Sequence, residues 1–129
     1  MEKIIVKASN KTEGINKYAL FIGRWQPFHD GHQWLINQQL DKGKSVCIAI
    51  RDVAQDEKNI WTSLEIKLML EERFEIEIRC GAIQVIVIPD IDSINIGRDV
   101  GYDIIEHVPS EKIAQISGTK IREQLKSKK

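Results

Sequence analysis

The fold of this chain is decided by the stretch ALFIGRWQPFHDGH, which spans residues 19–32. Its first four residues form a continuous apolar run, typical of a central parallel strand that is buried on both faces. A glycine turn follows, and Asp30 is a residue type that caps helices, so the pattern predicts a strand, a turn and a helix. Backbone N–H groups at such a turn point at an anion, and His29 and His32 add donors whose charge is adjustable near neutral pH. The stretch therefore predicts an anion site suited to a polyphosphate.

Strand-like and helix-like patterns alternate along the rest of the chain. Apolar runs predict strands at residues 45–50 and 83–88, and helices are predicted before Gly43 and from a capping box at residues 62–65. Weaker patterns predict a short strand at residues 94–96, a helix at 101–107, and a last helix from about residue 117 to residue 126.

This alternation predicts an α/β, Rossmann-like, three-layer fold in one domain, with a mostly parallel sheet and right-handed crossovers. Ligands of such sheets bind outside the carboxyl ends of the strands. The turns after Ile22, Ile50 and Ile88 are expected to meet at that edge.

Length and composition limit the class of protein. We expect the domain at residues 19–126, preceded by an extension or extra strand at 1–18 and followed by a basic tail at 127–129. The formal net charge is zero, which argues against nucleic-acid and membrane partners. The sequence contains neither a run of ~20 apolar residues nor a secretory leader, so we expect a cytoplasmic location. Cys47 and Cys80 lack ligand spacing and are expected to be reduced thiols.

Two segments together resemble the signatures of the cytidylyltransferase-like nucleotidylyltransferases. Residues 23–32 match a first signature in which a glycine is followed by Pro-x-His-x-Gly-His. Residues 116–122 read ISGTKIR and match a second signature, Ile-Ser-Ser/Gly/Thr-Thr-x-x-Arg. The resemblance implies an enzyme that transfers a nucleoside monophosphate from a triphosphate to a small acceptor and releases pyrophosphate. It also implies Mg²⁺ that is bound mainly through the triphosphate, with no protein metal ligand, and a possible homodimer.

The resemblance also implies roles for individual residues. The catalytic set is His29, His32, Lys58 and Arg122, and the nucleotide- or phosphate-binding set is Gly23, Arg24, Trp25, Gly31, Ser117, Gly118 and Thr119. The two histidines would stabilise charge on the α-phosphate, whereas the second signature would hold the β- and γ-phosphates at a helix N-terminus. Lys58 resembles the mobile lysine of the family, although a solvated surface lysine fits its position equally well. Arg51 and Arg98 are candidates for contact with the acceptor or nucleotide, and Trp25 either stacks on a base or packs.

The substrates stay open because the chain departs from the best-known members of this family. Lys112 and Gln115 stand where the glycerol-phosphate and choline-phosphate enzymes carry Arg-x-x-Gly. Arg24 and Gln26 stand where those enzymes have a small residue and an acid. The Gly-Arg-x-Gln-Pro form is closer to archaeal-type nicotinamide mononucleotide adenylyltransferases and to domains that activate small phosphonates. We expect CTP with a phosphate or phosphonate acceptor; the alternatives are ATP with a nicotinamide mononucleotide-type acceptor, and a non-catalytic nucleotide-binding module.

Overall fold

A computed structural model of the chain describes residues 17–98, 101–115 and 121–122. Within these residues the elements are β1 (Tyr18–Gly23), α1 (Asp30–Leu40), β2 (Ser45–Asp52), α2 (Ser63–Arg73), α3 (Glu75–Arg79), β3 (Ile83–Pro89) and α4 (Glu111–Ala114). The three long strand predictions are confirmed to within two residues at either end. The predicted extension at 1–18 lies almost wholly outside the described residues.

The described strands form one parallel sheet in the order β1-β2-β3. Gly23 pairs with Ile50, and Ile50 pairs with Val87, so the three strands end at the same edge. The predicted α/β, Rossmann-like class is confirmed. The expected convergence of the turns after the strands follows from this register.

The middle strand of the described sheet is β2. All five residues from Val46 to Ile50 are buried, as expected for a strand that is paired on both sides. Within the described residues β1 pairs with β2 alone, and its expected central position stays a prediction because residues 1–16, 99–100, 116–120 and 123–129 lie outside them. The two faces of β1 differ in burial: Phe21 is buried in the apolar core, whereas Leu20, which points to the opposite face of the sheet, is 58% exposed.

The main core lies between one face of the sheet and two helices. Val46, Ile48 and Ile50 alternate along β2 and therefore point to the same face. They form one apolar cluster with Ile36 of α1 and with Ile66 and Leu70 of α2. Two right-handed crossovers that progress in the same direction along a sheet put both helices on that face. The turn that ends β1 and the start of α1 are thereby held beside α2.

Two of the three weaker sequence patterns gave wrong predictions. Residues 94–96 are not a strand, and residues 101–107 are not helical; the short α4 begins later, where the Ser110 side chain accepts from the Ile113 N–H. Residues 121–122 are helical, and the rest of the predicted last helix lies outside the described residues. In the described part of the chain, no helix has the length and apolar character needed to cross a bilayer.

Candidate active site

The site begins with two histidines that cap the first turn of α1. The N-cap is His29, not Asp30 as predicted, and its Nδ1 accepts from the N–H groups of Gly31 (3.1 Å) and His32 (3.4 Å). In return, His32 Nδ1 accepts from the His29 N–H at 3.2 Å. The rings stack with their centroids 3.7 Å apart. Two histidines therefore perform the reciprocal capping that Ser or Thr with Glu usually provides.

These hydrogen bonds fix which ring nitrogen carries the proton. An Nδ1 that accepts from a backbone N–H holds no proton, so each neutral ring carries its proton on Nε2. Burial, the neighbouring His29 and the Arg73 guanidinium lower the pKa of His32 to about 3. Burial also lowers the pKa of His29, with Asp30 opposing and Arg73 assisting. The expectation of charge adjustable near neutral pH does not fit His32, because its low pKa keeps the ring neutral there, and the pKa of His29 is lowered in the same direction.

Another arginine, which the sequence analysis did not single out, contacts this turn from α2. Arg73, the last residue of α2, has its guanidinium carbon 4.9 Å from the Phe28 ring centroid. Its Nε donates to Gln33 Oε1 at 3.2 Å, and its Nη2 lies 3.6 Å from Asp30 Oδ1. Sequence reasoning missed it because it lies more than 40 positions beyond the turn and matches neither signature.

Trp25 packs in the core. Its side chain is buried at 4% exposure, and its indole Nε1 donates to the Ala49 carbonyl of β2 at 3.0 Å. The ring lies against Gly23, where an added Cβ would stand 2.9 Å from Trp25 Cε2. Of the two alternatives for Trp25, packing is therefore what the structure has, and a base cannot stack on a buried ring. Gly23 is explained by the close approach of the indole.

Gln26 joins the first signature to two other segments. Its side-chain Nε2 donates to the Trp61 carbonyl at 2.8 Å, and its Oε1 accepts from the Trp61 N–H at 3.1 Å. Its own backbone carbonyl accepts from Arg122 Nη1. We call this set of contacts the Gln26 junction. It brings the arginine of the second signature onto the turn of the first, across 96 positions of sequence.

The loop between β2 and α2 has a folded conformation around Asp56. The Asp56 carboxylate accepts from the backbone N–H groups of Lys58 and Asn59, both at 2.8 Å, and these bonds hold the pKa of Asp56 below its usual value. Arg24 reaches the same loop, with Nη1 3.3 Å from Asn59 Oδ1. Lys58 is exposed in this loop. The loop is thus attached to the first signature at Asn59 as well as at the Gln26 junction.

The candidate residues that remain are Arg51, Arg98, Ser117, Gly118 and Thr119. Arg51 pairs with Asp90 at 2.8 Å where β2 and β3 end, next to an open cavity of about 550 Å³ lined by Asp90, Ile91, Asp92, Ser93 and Asn95. Two carboxylates make that cavity a poor place for a polyphosphate. Arg98 is exposed on the segment after β3, and Ser117, Gly118 and Thr119 lie outside the described residues. Among residues 17–98, 101–115 and 121–122, no three His, Cys, Asp or Glu side chains gather as a metal group.

The arrangement is chemically a set of hydrogen-bond donors around one turn. Two neutral imidazoles retain Nε2–H groups, and the guanidinium groups of Arg24 and Arg122 lie on the same turn or contact it. No protein-family model matches the chain.

Proposed function

We propose that this chain is a nucleotidyltransferase that moves a nucleoside monophosphate from a triphosphate to a small anionic acceptor and releases pyrophosphate. The observation that carries the proposal is the contact between Arg122 and the Gln26 carbonyl. The two motifs resemble the halves of one triphosphate site, so they must lie close together in the fold. This contact joins Arg122, the last residue of the second motif, to the turn of the first motif.

The reaction needs few side chains. An oxygen of the acceptor attacks the α-phosphorus in line, the bond from that phosphorus to the bridging oxygen breaks, and the electron pair leaves on pyrophosphate. A phosphate or phosphonate acceptor is already ionised at neutral pH, so no general base is required. Catalysis then consists of positioning and of stabilising the charge that develops on the α-phosphate. Mg²⁺ enters as part of the substrate, bound through the triphosphate oxygens.

The histidines take part as neutral donors in this proposal. With each Nδ1 committed to a backbone N–H, the Nε2–H groups of His29 and His32 are the donors left for α-phosphate oxygens. Neutral rings suit this task because they donate without a proton transfer. Arg122 supplies fixed positive charge to the same turn, and Lys58 would approach from the loop after β2.

For the substrates we propose CTP with a small phosphate or phosphonate acceptor, and ATP with a nicotinamide mononucleotide-type acceptor as the alternative. The two differ in the base and in the acceptor, not in the chemistry at phosphorus. The Gly-Arg-x-Gln-Pro sequence supports either one.

A matrix assay tests the proposal. Four nucleoside triphosphates are each combined with phosphate, phosphonate and nicotinamide mononucleotide acceptors in the presence of Mg²⁺, and released pyrophosphate is measured. We expect release with one triphosphate and one acceptor class, and none when Mg²⁺ is chelated. Tight binding of a triphosphate without release for any acceptor would favour the non-catalytic nucleotide-binding module instead.

A further inference from the structure

We propose that Gln26 is a positioning residue that sets the places of Arg122 and of the Lys58 loop relative to the histidine turn. The inference rests on the proposed function, because it assigns how that site is assembled. Gln26 touches none of the reacting groups in this assignment. It acts through the residues that it holds.

The side chain of Gln26 is matched to a single partner. Its amide offers one donor and one acceptor to the backbone of Trp61, which presents one acceptor and one donor in return. Gln26 is only 5% exposed, so neither group can turn to bulk water for a replacement. A buried polar group that loses its partner is costly, which makes this paired contact specific for an amide.

Trp61 lies between the loop that contains Lys58 and the start of α2. It immediately precedes Thr62, the N-cap of that helix. Fixing the backbone of Trp61 therefore fixes the end of the loop against the histidine turn. Asn59, two positions earlier, is held by Arg24 of the same turn. The loop thus has two attachments to the first signature, and the one at Gln26 engages its backbone in both directions.

The backbone of Gln26 makes the second half of the junction. Its carbonyl accepts from Arg122, whose side chain is buried at 8% exposure. A shift of the turn at Gln26 moves the acceptor for this guanidinium as well as the partner of Trp61. Gln26 therefore connects the histidine turn, the loop that contains Lys58, and Arg122, and the proposed reaction requires these three close together. A carboxylate in place of this amide could not donate to the Trp61 carbonyl.

Two substitutions separate positioning from packing. Gln26→Glu keeps the shape and the acceptor but removes the donor and sets a carboxylate against the Trp61 carbonyl. Gln26→Met keeps the length of the side chain and removes both polar groups. The matched control is Gln38→Glu, because Gln38 Nε2 also donates to a tryptophan carbonyl, that of Trp34, at 2.8 Å, but within α1 and away from the junction.

The first readout is hydrogen exchange of backbone amides in the ligand-free protein. We expect the protection of the Trp61 amide to fall at least about tenfold in Gln26→Met, which removes its acceptor, and to fall less in Gln26→Glu, which keeps that acceptor, with the amides of β2 unchanged in both. Equal losses across all elements would mean that Gln26 only packs, and unchanged protection at Trp61 would mean that it holds nothing. Either result overturns the proposal. If Gln26→Glu does not fold, the same exchange measurement is made on Gln26→Met, which introduces no charge.

The second readout is turnover with the triphosphate and acceptor that the matrix assay selects. We expect kcat to fall at least about tenfold in both Gln26 variants, and to stay within about twofold in Gln38→Glu. Unchanged kcat in a variant with an unprotected Trp61 amide would overturn the positioning role. A wild-type protein without any turnover would instead count against the proposed function, and the exchange experiment would still decide whether the junction exists.

Discussion

His29 and His32 cap the same helix turn for each other, with His29 Nδ1 accepting from the His32 N–H and His32 Nδ1 accepting from the His29 N–H. A residue pair expected to serve chemistry alone thus also holds the start of α1. The two tasks use different ring nitrogens, so substitutions can separate them.

The first prediction separates capping from catalysis at His32. In His32→Asn the side-chain oxygen occupies a place close to that of Nδ1 and can still accept from the His29 N–H, but the Nε2–H donor is gone. We expect turnover to fall about 100-fold or more, and the free energy of unfolding to fall only by what the ring loses in packing against Trp25 and Phe28, because the cap is kept. His32→Ala should lose the same turnover and a further ~1 kcal/mol of stability, because the cap is lost. Urea unfolding and pyrophosphate release measure the two effects, and near-wild-type turnover in His32→Asn would refute the donor role.

The second prediction concerns pH. The pKa of His32 is lowered to about 3 in the folded chain and returns to its ordinary value of 6.5 on unfolding. Between these values the unfolded chain binds a proton that the folded chain does not, so the free energy of unfolding decreases as the pH falls below about 6.5. The slope contributed by one such group is at most about 1.4 kcal/mol per pH unit.

Urea unfolding between about pH 7 and about pH 5 measures this slope. His32→Asn removes the titrating group and keeps the cap, so its slope should be shallower than that of wild type. His29, whose pKa is also lowered, keeps the slope from vanishing. Identical slopes in the two proteins would show that His32 does not cause the loss of stability in acid.

The third prediction tests the contact between Gly23 and Trp25. A Cβ on Gly23 would stand 2.9 Å from the indole, whose N–H is bonded to Ala49, so the ring cannot withdraw without losing that bond. We expect Gly23→Ala to lower the free energy of unfolding by about 1–3 kcal/mol. Gly97→Ala is the control, since nothing lies within 4 Å of its added Cβ. Equal effects of the two substitutions would contradict the close packing of Trp25 on the turn.

The fourth prediction addresses Arg73. Its positive charge lowers the pKa of both His29 and His32, so Arg73→Met should raise the pKa of each ring. The imidazole signals in an NMR pH titration report this directly. Arg79→Met is the control, because Arg79 pairs with Glu75 on α3 at 2.6 Å and is not among the charges that shift either histidine. A similar shift in both variants, or none in Arg73→Met, would remove Arg73 from the electrostatics of the turn.

The long elements of the fold were predictable from the sequence. The run at residues 46–50 is continuous and apolar because it is buried in the middle strand of the described sheet. The run at residues 83–88 contains the exposed Gln84 and buries Ile83 and Val85. The Thr62–Glu65 capping box marks the start of α2 by its own hydrogen bonds. The pairing of β1 with β2 was not predictable, because an apolar run indicates burial and does not identify the strands that pair with it. The pattern at residues 101–107 failed because its apolar side chains, such as Ile104 and Ile105, are exposed and pack on no core.

The candidate site was predictable as a set of residue types, but not as a geometry. The two histidines and Arg122 were identified from their spacing and resemblance. Their protonation was not, because the low pKa of His32 arises from burial and from Arg73, a residue remote in sequence. Gln26 was noticed only as a departure from other sequences. Its paired contact with Trp61 depends on where the loop after β2 comes to lie.

The most direct test of nucleotidyl transfer follows the α-phosphate itself. Wild-type protein is incubated with Mg²⁺, acceptor and either CTP or ATP, labelled in one experiment at the α-phosphate and in the other at the γ-phosphate. We expect the α-label to appear in the acceptor product and the γ-label to appear in pyrophosphate, with both signals lowered about 100-fold or more in His32→Asn. Transfer of the γ-label to the acceptor, or no transfer of the α-label to any acceptor, would contradict the proposed reaction.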